Sequence, residues 1–163
     1  MAGTRQVDKI KVVPALHAAT PSSSSPKWVS LKGYNHLTAI VSFKNATTVT
    51  GSAIGLAQAT AVAGTGTKTL GFSTVWANTD DASSVALTET AVVSNTFTTN
   101  ATNSKTGFYI IEVDADDLDV ANGFDCLQVT TGNGTATTIE VTYILSGARF
   151  SGGPADFADP LAD

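Results

Sequence analysis

The sequence predicts an all-β protein, an antiparallel β-sandwich of jelly-roll-like character with an extended N-terminal arm. Three observations predict it. Apolar residues recur at every second position in several short runs, clusters of turn-forming residues separate these runs, and the composition combines 25 Thr in 163 residues with only 14% charged residues. No window carries an apolar stripe of helical period. A flattened barrel is the nearest alternative.

The chain divides into three predicted segments. Residues 1–27 form a flexible, basic, Pro- and Ser-rich arm, residues 28–150 form the sandwich, and residues 151–163 form a C-terminal tail. The arm is interrupted by three prolines and a run of four serines: Pro14, Pro21, Pro26 and residues 22–25. Such a composition keeps the backbone extended or flexible. Within the arm, Ile10, Val12 and Val13 predict one short strand that pairs with a sheet edge of this subunit or of a neighbour.

From residue 28 onward, alternation predicts seven or eight strands. One set of alternating positions in each clear run, in chain order, is Leu37, Ala39, Val41 and Phe43; Ile54, Leu56 and Gln58; Phe72, Thr74 and Trp76; Tyr109, Ile111 and Val113; Leu127 and Val129; Ile139, Val141, Tyr143 and Leu145. Turn clusters at residues 64–67, 78–81, 100–103 and 132–134 separate the strands.

One short helical corner is predicted at residues 116–120. A carboxylate can cap its exposed amide groups, Leu118 would plug it into the core, and Gly123 would let the chain turn back into the next strand. The corner therefore connects two strands rather than forming a helix of its own.

Charge is distributed unevenly along the chain. Residues 1–45 carry a net charge of +5 and residues 46–163 a net charge of −10, giving −5 for the whole. This balance argues against nucleic acid as a partner, because phosphate backbones are bound by clustered cations. The sequence also has no apolar run long enough to span a membrane and no secretory signal, so we expect a protein made in the cytoplasm that does not contact membranes.

The basic front segment is the predicted partner-binding site. Its cations would bind an acidic surface of a partner. Two aromatic side chains near the C-terminal end of the arm would act as apolar anchors. The residues are Arg5, Lys9, Lys11, Lys27 and Lys32, with Trp28 and Tyr34 as anchors. The alternative interpretation is a solvated tail.

A cluster of carboxylates around the predicted corner raises calcium as a metal-binding alternative. The five are Asp114, Asp116, Asp117, Asp119 and Asp125. Their spacing fits a twelve-residue calcium loop poorly, because Leu118 stands where an oxygen ligand is needed and Asp119 replaces the glycine of the loop. The sequence favours a solvated capping corner with no metal.

Catalytic signatures are weak, so we expect no enzyme and no cofactor. His36 has no recognisable nucleophile beside it, and Cys126 lies in a predicted strand, where a free cysteine usually packs as a small apolar residue. The segment at residues 64–69 lacks the glycine before lysine that a phosphate loop needs. Trp28, Trp76 and Tyr34 fit core or subunit-interface packing, with stacking on sugar rings as the alternative.

Several segments resemble small structural proteins encoded beside the capsid genes of tailed bacteriophages and prophages. The segments are residues 34–38, 54–60, 64–72, 111–120 and 143–150. The resemblance covers about residues 28–150 and implies a head decoration or cement protein. Such proteins sit on the outer face of the shell, commonly as trimers, and clamp neighbouring capsomers.

The resemblance implies a function without catalysis. We expect a virion protein on the capsid exterior, made in the host bacterial cytoplasm, with the major capsid protein and copies of itself as partners. Two alternatives remain open: a tail-fibre or sugar-binding module, which would expose Trp76 or Tyr109 in a groove, and a tail-tube or connector subunit, which would form rings.

Overall fold

The computed structural model describes residues 5–21, 23–149 and 157–163, and it contains eleven strands. They are β1 (Ile10–Ala19), β2 (Val29–Ser30), β3 (His36–Thr50), β4 (Ala53–Ala59), β5 (Lys68–Leu70), β6 (Thr74–Asn78), β7 (Thr88–Ala91), β8 (Thr96–Thr98), β9 (Thr106–Asp114), β10 (Cys126–Thr131) and β11 (Thr135–Ser146). Short 3-10 turns occupy Gln6–Asp8, Ala115–Asp117 and Val120–Asn122.

The strands form two antiparallel sheets, which confirms the predicted β-sandwich. The larger sheet has the order β1-β11-β3-β9-β6-β7, and the smaller has the order β2-β10-β4-β5 with β8 paired to β4. Sequential strands share a sheet at β4–β5 and at β6–β7, whereas the other connections cross between the sheets. The shorter strands β2, β7 and β8 were not predicted, because two to four residues are too few to show a period.

The core lies between the two sheets and is filled by the inward-facing residues of both. Every second side chain is buried along β9, over residues 36–45 of β3 and over residues 137–146 of β11, as the alternation predicts. The fully buried aliphatic side chains include Val29, Leu31, Leu37, Val41, Ile54, Leu56, Ile111, Leu127, Val129, Ile139, Val141 and Leu145. Their burial supplies the main driving force for folding.

Each of the three tyrosines uses its buried hydroxyl to tie one segment to the sandwich. Tyr143 on β11 accepts a hydrogen bond of 2.8 Å from the amide of Val129 on β10, which connects the two sheets through the core. Tyr109 accepts one of 2.8 Å from the amide of Asn100 in the loop before β9. A buried hydroxyl without a partner would be costly, so these bonds also fix the rings.

Within the predicted arm of residues 1–27, the strand expected at Ile10, Val12 and Val13 is confirmed and is longer than predicted, so the described part of this segment is not a separate flexible arm. Ile10–Ala19 form β1, a ten-residue edge strand paired along β11, and Val13, Ala15 and Leu16 are buried in the core. The chain then returns along the sandwich, where the amide of Lys27 donates to the carbonyl of Ala15 at 2.9 Å. Without β1, one side of the long strand β11 would be unpaired. Pairing with β1 supplies backbone hydrogen bonds and apolar contacts, and these offset the conformational entropy that residues 10–19 lose when they become ordered.

The predicted C-terminal tail is also packed where the structure describes it, while residues 151–156 lie outside the described residues. Phe157 belongs to the core, and the carbonyl of Pro160 accepts a 2.8 Å hydrogen bond from the amide of Ser30 on β2. Phe157 and Pro160 are the buried apolar residues that hold this end against the smaller sheet.

The predicted corner between β9 and β10 is confirmed. It consists of two 3-10 turns, and Leu118 between them is buried against the core. Gly123 has a φ of +81° at the end of the second turn, a conformation that glycine adopts without strain.

Candidate binding surface

The outward face of the larger sheet carries apolar residues on neighbouring strands, with Thr142 among them. In antiparallel strands, directly opposed residues project from the same face with their Cβ atoms about 4.5–5.5 Å apart. Opposed pairs join Pro14 to Thr142, Thr142 to Ile40, Ile40 to Ile110 and Ile110 to Trp76, and Val12 to Ile144 in the neighbouring row. We call this set the outer apolar surface: Val12, Pro14, Ile40, Ile110, Ile144 and Trp76.

The outer apolar surface is accessible to a partner. Val12 is 53% exposed and Trp76 is 40% exposed, while Ile40, Ile110 and Ile144 are partly buried by their neighbours. Other exposed apolar residues, such as Val85 and Val93, lie outside the strands. A connected apolar row on a sheet marks an interaction surface more often than scattered apolar residues do.

Trp76 corrects one sequence interpretation. The alternation of the sequence predicts that Trp76 lies on a buried strand face or at a subunit interface. In β6, however, Val75 and Ala77 are the residues that face the core. Strand residues alternate between faces, so Trp76 must face outward. The prediction that Trp76 packs in the core is therefore wrong, whereas its place at an interface with another subunit stays a prediction.

Acidic groups border the outer apolar surface at one end of the sheet. His36 on β3 lies between two carboxylates of β9: its Nδ1 is 2.7 Å from Oδ1 of Asp114, and its Nε2 contacts Oε2 of Glu112. Thr38 donates a further hydrogen bond of 2.9 Å to Glu112. Partial burial alone would lower the pKa of His36, but the hydrogen bonds and charges of the two carboxylates together raise it above its usual value.

A groove of about 270 Å³ opens where β6 separates from the end of β9. Its walls are residues 70–74, Trp76, the end of β9 and the following corner. The side chains that line it include Phe72, Ser73, Thr74, Trp76, Glu112 and Asp117. The groove thus combines aromatic rings with carboxylates and hydroxyls. Tyr109, the other aromatic residue considered for such a groove, is buried.

The predicted arm cations lie on several different segments. Lys9 and Lys11 lie at the start of β1, and Arg5 lies 3.7 Å from the carboxylate of Asp8. Lys27 is exposed beside Ala15, and Lys32 lines a different groove together with Asp159 and Asp163. The pairing of β1 with β11 fixes the backbone at Lys11, and partner binding by these cations stays a prediction.

The two predicted anchors have structural contacts. Tyr34 is 1% exposed and its hydroxyl donates a 2.5 Å hydrogen bond to the carbonyl of Ala158, so the prediction that it anchors a partner is wrong. Its burial, followed by the charge of Asp159, raises its pKa. Trp28 is partly buried with its indole against Gly64 in the turn after β4.

The free edge of β1 is poorly suited to receive another strand. The edge carries Pro14, and register shifts interrupt the ladder on either side of Leu16. Lys11 is opposite the buried Leu145 and so projects a charge from the inward side. Proline, irregularities and inward charges are the features by which natural proteins block pairing at an edge. Attachment of the arm by strand addition is therefore not supported.

The acidic corner engages its carboxylates in local contacts. Asp117 accepts a 2.8 Å hydrogen bond from the amide of Asp114, as a capping residue does, and Asp119 pairs with Lys68 and with the amide group of Asn122. Asp125 contacts the thiol of Cys126 at 3.2 Å. Among the residues that the structure describes, no three His, Cys, Asp or Glu side chains are grouped to hold a metal ion.

Cys126 and the glycine-rich segment at residues 64–69 have structural roles. Cys126 is buried in β10, where burial and then the neighbouring Asp125 raise the pKa of its thiol to about 12, far from a reactive thiolate. Gly64 and Gly66 have positive φ in a turn that leads into β5, as the turn interpretation of this segment predicts.

The outer apolar surface is not among the predicted sites, although the sequence carries a signal for it. A half-exposed strand should alternate apolar with polar residues, yet Ile40, Ile110 and Ile144 interrupt the polar positions of three strands. Apolar residues on both faces indicate a sheet covered on both sides. In this chain only one side is covered by its own described residues.

Comparisons with known proteins leave the family open. No protein-family profile matches the chain, and no curated protein matches it. The solved structure of SPBc2 prophage-derived protein YomS is similar at 12% identity and a TM-score of 0.44, covering 83% of this chain and 91% of YomS. At this distance the likeness carries no conclusion about function.

In the described part of the chain, no helix has the length and apolar character needed to cross a membrane.

Proposed function

We propose that this protein is a structural, non-catalytic subunit that decorates the outer face of a tailed-phage capsid and stabilises it by bridging capsomers. The observation that carries the proposal is the outer apolar surface on a rigid two-sheet sandwich. The phage context comes from the resemblance of residues 28–150 to capsid-associated proteins. No cofactor takes part in this role.

The structure changes how attachment would work. Because residues 10–19 are part of the larger sheet, they are not free to reach a neighbour as an arm. The outer apolar surface, bordered by Glu112, Asp114 and Glu140, instead fits a shell surface that is apolar at its centre and basic at its rim. The partner is the major capsid protein.

Several linked copies would make this attachment tight. A trimer that docks three outer apolar surfaces at once gains avidity of order 10²–10⁴ over a single copy, provided that all three sites can be reached together. Weak individual contacts then suffice for permanent occupancy. Mass photometry distinguishes this trimer from the larger rings expected of a tail-tube or connector subunit.

Co-sedimentation with capsids of the phage that encodes the chain tests the proposal. Ile40→Lys places a charge at the centre of the outer apolar surface, and we expect it to lower capsid occupancy by at least about tenfold. Thr69→Lys, an exposed position on β5 of the smaller sheet, is the matched control and should bind as the unaltered protein does. Equal occupancy of both variants, with both folded by circular dichroism, would remove this surface from the proposal.

A further inference from the structure

The groove beside Trp76 has the composition of a small-ligand site, and it lies at the edge of the outer apolar surface, with which it shares Trp76. It lies at the end of the larger sheet, between residues 70–74 and the corner after β9. Its volume of about 270 Å³ is close to the lower limit of about 300 Å³ for ligand pockets. We propose that this groove binds a neutral oligosaccharide.

Two aromatic side chains form the apolar part of the groove. Trp76 is 40% exposed and Phe72 is partly buried. Phe72 is held in place by Phe97, which meets it edge-on with the ring centroids 6.3 Å apart. The exposed ring of Trp76 offers a large, rigid face for the C–H groups of a pyranose, and its apolar body stays accessible without any movement of the sheet.

The polar part of the groove is fixed in advance. Glu112 is held through Oε2 by His36 and Thr38, and Asp117 is held through Oδ2 by the amide of Asp114. Within the described residues, the second oxygen of each carboxylate makes no hydrogen bond. These two oxygens can accept hydrogen bonds from ligand hydroxyls without reorganisation of the side chains.

The same groups determine the class of ligand. Two carboxylates repel uronic acids, sialic acids and phosphates, whereas the hydroxyls of Ser73 and Thr74 can both donate to and accept from a sugar. A purely apolar ligand would leave the carboxylates without partners as it displaced their water. An uncharged ligand rich in hydroxyls, with one apolar face, is the class that satisfies both parts of the groove.

Nuclear magnetic resonance of the two tryptophan indole N–H groups tests the proposal with an internal control. The probes are maltotriose, chitotriose and galactotriose, with trigalacturonate as the acidic counterpart of the last. We expect at least one neutral probe to shift the Trp76 indole signal saturably while the signal of Trp28, which packs beside Gly64, stays in place. Trigalacturonate should give no saturable shift.

Two variants test the groove, and Ile40→Lys, which lies outside its lining, separates this proposal from capsid attachment. Trp76→Ala removes the aromatic face and should weaken binding of the responding probe at least about tenfold, as followed by calorimetry. Ile40→Lys, which targets the capsid-binding part of the sheet, should bind that probe with unchanged affinity. The proposal is overturned if no neutral probe gives a saturable shift, if trigalacturonate binds equally well, or if Trp76→Ala retains full affinity.

Discussion

The two faces of the larger sheet are built from the same strands but differ in how far their side chains are buried. On β9, Ile111 faces inward and is completely buried, while its neighbour Ile110 faces outward and remains partly exposed. The inward face contributes core residues from β1, β3, β6, β9 and β11. The outward face has the same kind of side chain in Ile40 and Ile144, yet none of the described residues forms a second layer over them.

This difference separates what the chain needs to fold from what it offers to a partner. Inward apolar residues contribute their full transfer free energy to folding, whereas partly exposed ones contribute a fraction of it. Partly exposed apolar residues contribute little to the free energy of folding. Where they form a connected row, association with a partner explains their presence. The inner face therefore stabilises the subunit, and the outer face would stabilise its attachment.

Removal of β1 should have the largest effect, because β1 contributes to the inner face. Deletion of residues 1–19 removes the buried side chains of Val13 and Leu16, which contribute roughly 3–6 kcal/mol together, and leaves one side of β11 unpaired. We expect the truncated protein to be unfolded or strongly destabilised in urea denaturation. Deletion of residues 1–9 is the control and should unfold close to the full chain. A stable, cooperative protein without residues 1–19 would restore the flexible-arm interpretation.

A matched pair of substitutions compares the two faces directly. Ile111→Ala leaves a cavity in the core and should lower the free energy of unfolding by about 2–5 kcal/mol. Ile110→Ala, one residue away on the same strand, should cost less than half of that amount. Equal losses would mean that the outer face is as important for folding as the inner face. Urea denaturation of both variants at one temperature measures the difference.

The cross-sheet hydrogen bond is the next test of the inner face. Tyr143→Phe leaves the buried amide of Val129 without its acceptor, and we expect a loss of about 1–3 kcal/mol. Tyr34→Phe is a comparison at the edge of the core, where the carbonyl of Ala158 loses a donor but lies nearer to solvent. Thermal denaturation should rank Tyr143→Phe as the more destabilising of the two.

Because His36 pairs with Glu112 and Asp114 at the rim of the outer face, we expect the free energy of unfolding to depend slightly on pH. The pKa of His36 is raised in the folded protein, so protonated His36 contributes stability that is complete below its unfolded pKa of about 6.5 and is lost as pH rises through the folded value. Because the three side chains are partly exposed, the contribution is at most about 1 kcal/mol. His36→Gln should abolish this part of the pH profile of unfolding. An identical profile in the variant would assign it to other groups.

The sequence predicts the inner face far better than the outer face. Alternation alone identifies Leu37, Val41 and Ile139 as core residues, because a buried face needs an uninterrupted apolar row. The same alternation cannot tell whether Ile40 is covered by another layer, since coverage depends on which strands become neighbours. The pairing of Ile40 with Ile110 joins residues seventy positions apart, and such long-range register is not encoded in any local pattern.

The length of the edge strand could not be predicted for a related reason. Pro14 lies inside β1 and the other prolines and the serines follow it, a composition typical of flexible segments, but the ladder with β11 overrides this local preference. By contrast, the corner at Leu118 and Gly123 was predictable, because capping and positive φ are properties of a few consecutive residues.

Hydroxyl-radical footprinting of the free and the capsid-bound protein tests the central claim most directly. If the outer apolar surface is the attachment surface, oxidation of Ile40, Ile110 and Ile144 should slow markedly on capsids, while the fully exposed Val85 continues to react as in the free protein. Protection confined to the smaller sheet, or unchanged oxidation of all three isoleucines on occupied capsids, would contradict the account.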